Sequence, residues 1–156
     1  KENWKDEGLQ NSAVASLIIQ AGMPPPSGVS AAEWEVLFES YLGQIAYVTS
    51  SENARIKVLE WLKGQMAKIL RTPRAANWQE RLDHYLTTFK SIAKFTGGAA
   101  LKARAAAMLE EISKALRDNE PSKYDVSRLS EQLKRASTVV INGPTTKLNA
   151  AHGERK

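Results

Sequence analysis

The 156-residue chain is 42% hydrophobic and 25% charged, contains no cysteine and has a formal net charge of +5. That length suits one compact domain with a core and is short for two, and the lack of cysteine excludes a disulfide framework or a thiolate metal centre. The charge is divided unevenly: residues 1–51 hold two lysines against six acids, a net of −4, which leaves +9 on residues 52–156. A basic majority of this size points either to acidic partners such as nucleic acid or an acidic protein face, or simply to a well-solvated surface.

The most apolar run, Ala13 to Ala21, is nine residues interrupted by Ser16, against the roughly 20 that a bilayer span needs. Stable membrane insertion is therefore not expected. The run also lies behind Lys5, Asp6 and Glu7, unlike the apolar segment of a signal peptide. A chain opening on Lys1 reads as a processed or trimmed product, and the compartment favoured is cytoplasmic and soluble over secreted.

In chain order, the first predicted helix runs from about Gln10 to Ala21, with Val14, Leu17, Ile18 and Ala21 at helical spacing. It stops at Gly22, and Pro24, Pro25 and Pro26 impose an extended connector. The second helix opens on Ser30 and Glu33, a capping-box spacing. Its apolar stripe is Trp34, Leu37, Phe38, Tyr41, Leu42, Ile45 and Val48, read as the face turned to the core. Thr49, Ser50 and Ser51 form a turn in which a serine caps the third helix, which reaches about Leu70.

Thr72 followed by Pro73 signals the start of a fourth helix, with Trp78, Leu82, Tyr85, Leu86, Phe89 and Ile92 as its stripe and Gly97–Gly98 as its end. The fifth spans about Ala100 to Arg117 and turns Leu101, Ala105, Met108, Leu109, Ile112 and Leu116 to one side. Beyond Pro121 a sixth carries Val126, Leu129 and Leu133. Asn142-Gly143 suits a hairpin turn, but Pro144 and the polar residues that follow argue against a strand pair. Residues 1–138 are thus read as one all-α helical-bundle domain and residues 139–156 as a mostly mobile tail.

The chain also repeats itself. Ala31-Ala32-Glu33-Trp34 recurs as Ala75-Ala76-Asn77-Trp78, and five of fifteen positions are identical at this offset of 44, including Tyr41/Tyr85 and Leu42/Leu86. The helices that follow run parallel at an offset of 46, ending Met66 to Leu70 and Ile112 to Leu116. A duplicated helical hairpin accounts for this: neither copy covers its own apolar face, and short turns make neighbours antiparallel. The expected architecture is an antiparallel bundle of five to six helices.

Chemistry is scarce. A nucleophilic triad needs a histidine beside its nucleophile, and the only histidines are His84 and His152. His84 lies about 240° around its helix from Trp78, on an outer face with Glu80, where the two fall short of the three ligands a metal site needs. No phosphate-binding glycine motif occurs. Glu110 and Glu111 sit near Lys114 as candidates for i,i+4 ion pairs. No catalytic residue, metal or cofactor is expected.

One surface stands out. On the third helix Trp61, Gly64, Lys68 and Arg71 fall within about 40° of Lys57, and residues 52–74 hold six basic groups against two acidic ones. Lys57, Trp61, Lys68 and Arg71 are therefore the candidate binding residues: an indole on which a base or aromatic ring stacks, with cations for phosphate or carboxylate. The alternative is that Trp61 packs beneath a neighbouring helix. The functional expectation is a non-enzymatic protein–protein interaction or assembly module, with another protein or a second copy as partner. The alternative expectation is nucleic-acid binding through residues 52–74.

Overall fold

The computed structural model describes residues 6–71, 77–96, 98–119, 128, 131–135 and 138. Five helices have defined extents: α1 (Glu7–Ala21), α2 (Ala31–Val48), α3 (Glu52–Arg71), α4 (Trp78–Thr96) and α5 (Ala99–Asn119). The described residues between 128 and 138 are helical too, and no strand occurs among the described residues. The protein is all-α, as its periodicity predicts.

Local chemistry explains where the helices begin. Asp6 Oδ1 accepts a hydrogen bond from the Gly8 N–H at 2.8 Å, which starts α1 three residues before the predicted Gln10. At α2 the capping box forms as read: Ser30 Oγ accepts from the Glu33 N–H and Glu33 Oε1 accepts from the Ser30 N–H, both at 3.0 Å. The connector before it includes Gly28 at φ +88°, a left-handed conformation that a side chain would strain. Of the turn serines it is Ser51 that caps α3, accepting from the Ala54 N–H at 3.1 Å. The Thr72–Pro73 start, Val126, Leu129, and the tail from 139 onward lie outside the described residues.

The chain divides into two compact units, Lys1–Trp61 and Leu62–Lys156, with the boundary inside α3. In the first, α1 packs on α2 around Val14, Phe38, Leu42, Ala46, Ala54, Val58 and Leu59. A polar tie accompanies this core. The buried Gln10 side chain accepts from Thr49 Oγ1 and from the Ser50 N–H (3.0 Å), and its amide nitrogen donates to Ser50 Oγ (3.2 Å). Beside it Ser51 Oγ donates to Asn11 Oδ1 at 2.7 Å. A buried amide is tolerated because its donor and acceptor are both used.

In the second unit α4 packs on α5, and the buried residues include Met66, Leu82, Phe89, Ile92, Leu109, Ile112, Leu116 and Leu133. Lys63 of α3 pairs with Glu111 of α5 at 2.6 Å, while Lys114 pairs with Asp118 at 3.1 Å. These are different pairings from the Glu110/Glu111–Lys114 arrangement that sequence spacing suggests, because Glu111 lies within reach of a neighbouring helix.

The same capping device occurs once in each unit. Arg55 Nε, at the start of α3, donates to the Ala46 carbonyl at 3.1 Å, and its Nη2 donates to the Thr49 carbonyl. Lys102 Nζ, at the start of α5, donates to the Ala93 and Lys94 carbonyls, each at 2.8 Å. A cation thus closes the carbonyl end of the preceding helix, where the macrodipole also favours positive charge. Burial pushes both groups below their ordinary pKa values, with Glu52 opposing the shift at Arg55.

Since the unfolded chain holds the Lys102 proton more tightly than the folded one, this group makes stability rise as pH climbs through the window just below the ordinary lysine value. Replacing Lys102 by Met keeps most of the apolar stem and removes the donor. The substitution is expected to lose about 1 kcal/mol at neutral pH and to flatten the alkaline rise, as read by urea melts between about pH 8 and about pH 11.

Candidate functional site

The apolar residues of α2 occupy more of its circumference than its packing covers. At about 100° per residue, the arc from Leu37 to Ala46 spans about 180°. One side of it, Phe38, Leu42 and Ala46 with Glu39 and Gly43, is buried. Trp34 and Ile45 lie midway and are half-buried. The other side is open: Leu37 is 39% exposed, Tyr41 44% and Val48 68%. The sequence reading that turns all seven residues inward is corrected here, for only Phe38 and Leu42 of the seven are fully buried.

Aromatic contacts bridge the two sides. The Trp34 and Phe38 rings meet edge-on with centroids 4.8 Å apart, and Phe38 and Tyr41 do so at 5.9 Å. The buried Trp34 Nε1–H has no acceptor among the described residues. Val36 and Tyr47 are exposed further round α2, and Leu9, Ile19 and Met23 are exposed on and just after α1. Every exposed large apolar side chain among the described residues therefore falls between residues 9 and 48. Over residues 6–51 the chain has five acids and no lysine or arginine.

The sequence-predicted binding residues lie along α3. Lys57, Lys68 and Arg71 are exposed, as is Gly64, while Trp61 is half-buried. The indole is therefore partly covered rather than standing free among the cations. A methyl added at Gly64 would meet nothing within 4 Å, so no close neighbour demands a glycine there. Along the basic face Glu60, also exposed, interrupts the positive charge.

His84 and Glu80 are both exposed on α4, and no cluster of three or more metal-ligating residues occurs among the described ones. A cleft of about 250 Å³ is lined by Leu109, Glu110, Ser113 and Arg117 of α5 and by Leu133, Lys134 and Thr138. Its single carboxylate and two cations lack the histidine or paired acids that acid–base chemistry uses. No described helix is long and apolar enough to cross a membrane. No protein-family model, curated protein or solved structure matches the chain.

Sequence reasoning missed the exposed α2 ridge, although a signal for it was present. Trp34, Leu37, Tyr41, Gln44 and Val48 follow a 3-4-3-4 spacing, the seam of a helix with a second neighbour to meet. Two adjacent positions separate the faces experimentally. Phe38→Ala is expected to destabilise the fold by about 3–5 kcal/mol. Leu37→Glu, one residue away, is expected to change stability by less than about 0.5 kcal/mol. Chemical denaturation of the two variants checks the contrast.

Proposed function

We propose that the protein is a non-enzymatic helical module that works by docking to other protein surfaces through its first unit. The observation that carries this reading is the confinement of every exposed large apolar side chain among the described residues to residues 9–48, a stretch without cations from residue 6 onward. Apolar surface concentrated in this way is costly in water and is a mark of an interaction face. The sparse catalytic chemistry of the described residues points the same way.

The duplicated hairpin of the antiparallel bundle belongs to this proposal. In both α2–α3 and α4–α5 a cation early in the second helix reaches the carbonyl end of the first, Arg55 to Ala46 and Lys102 to Ala93, although their spacing of 47 residues does not coincide with the repeat offsets of 44 and 46. Core positions agree as well: Phe38 with Leu82, Leu42 with Leu86, Met66 with Ile112 and Leu70 with Leu116 are buried in both.

A photo-cross-linking residue at Val48, with a control at Glu80 on α4, tests the interaction reading in cells expressing the chain. The expected outcome is a discrete protein adduct from position 48 and none from position 80, whether the adduct is a second copy or another protein. No adduct from position 48 overturns the reading.

A second reading, nucleic-acid binding by α3, is favoured by the alignment of exposed Lys57, Lys68 and Arg71 around Trp61. It predicts oligonucleotide binding at about 50 mM salt that falls steeply as salt rises. Trp61 fluorescence is the expected reporter, and the triple reversal of Lys57, Lys68 and Arg71 to Glu should abolish binding with helicity unchanged. Absence of binding at low salt removes this reading.

A further inference from the structure

We infer that the exposed seam of α2 pairs with the same seam of a second copy of this chain, the two helices running antiparallel about a twofold axis. This rests on the interaction reading above and names its partner. The seam positions are Trp34, Leu37, Tyr41, Gln44 and Val48, which lie within about 80° of one another around the helix. None of them is charged. An antiparallel crossing centred between Tyr41 and Gln44 sets Leu37 opposite Val48 of the other copy and Tyr41 opposite its Gln44. Apolar then meets apolar, and a phenol meets a carboxamide with which it can hydrogen-bond.

The charge pattern selects this orientation. The three acids of α2, Glu33, Glu35 and Glu39, all lie in its first half, and residues 40–51 carry no charge. Antiparallel pairing brings each acidic half against an uncharged half, whereas parallel pairing stacks acid on acid. Opposed helix dipoles add to the preference.

In the second unit two of the five seam positions have buried counterparts, while Trp78, Arg81 and Thr88, the counterparts of Trp34, Leu37 and Gln44, are half-buried. At the offset of 44, Tyr41 and Val48 correspond to Tyr85 and Ile92, which are only 4% and 0% exposed. There Gln65 of α3 donates to the Tyr85 hydroxyl at 3.5 Å. A glutamine reaching a tyrosine on this seam is the contact that Gln44 and Tyr41 would make between copies.

Two heptads bury less surface than a permanent dimer needs, so the expected dissociation constant is about 10–100 µM. Sedimentation equilibrium of the purified chain, from about 5 µM to about 1 mM, should show the mass rising from 17.2 kDa toward twice that value. Because the seam is uncharged, about 0.5 M salt should leave the midpoint unchanged. Leu37→Glu and, separately, Val48→Glu should each weaken association by about 100-fold while circular dichroism stays the same. The absence of native cysteine permits a geometric test. On oxidation the double variant Leu37→Cys/Val48→Cys should form covalent dimers, and Ser40→Cys, exposed but off the seam, should not.

A strict monomer at the highest concentration overturns the inference. So do larger assemblies that dissolve in salt, which indicate head-to-tail contact of the acidic front with the basic remainder, and so does equal cross-linking from Ser40. A monomer in this experiment combined with a heterologous adduct from Val48 in cells sinks the self-pairing alone and leaves the interaction module standing.

Discussion

A helix with apolar side chains around half of its circumference cannot be satisfied by one neighbour. A single packed helix or core covers roughly a third of such a surface, so the remainder either finds a second partner or stays in water. α2 is in that position. Phe38, Leu42 and Ala46 are buried, and Leu37, Tyr41 and Val48 are left outside, with the half-buried Trp34 and Ile45 between them. The functional reading of the molecule follows from the fate of that uncovered side.

The contrast with α4 shows that the constraint comes from context and not from the helix alone. Its Tyr85 and Ile92 occupy the positions of Tyr41 and Val48 and are buried. Lys90, half-buried, and Thr87, exposed, replace Ala46 and Gly43 on the other side. The apolar arc of α4 is thus narrower on one flank and, at Tyr85 and Ile92, covered on the other. Helices with similar apolar spacing end up with different faces covered, because coverage is set by what packs beside each one.

Much of the fold was legible because its signals are local. The Ser30–Glu33 capping box, the stop at Gly22 and the turn at Thr49–Ser51 each depend on residues a few positions apart, and each formed as read. Non-local chemistry was not legible. Arg55 and Lys102 each reach a carbonyl nine residues back, a contact that exists only after two helices have folded against each other and that no local spacing announces. The periodicity of α2 gave the position of its apolar arc but not which half would be covered, since coverage depends on what packs there. On α3 the partial burial of the Trp61 indole depends on surroundings that helical spacing does not encode.

The Gln10 network has a consequence for motion. α1 contributes only two fully buried side chains, Val14 and Gln10, so its hold on the first unit is concentrated at a few points. The Ser50 amide proton, pointed at Gln10 Oε1, lies in the loop between α2 and α3, not within either helix. Its exchange with solvent requires the Gln10 contact to open, so the lifetime of that one proton reports how firmly a side chain of the first helix holds the loop.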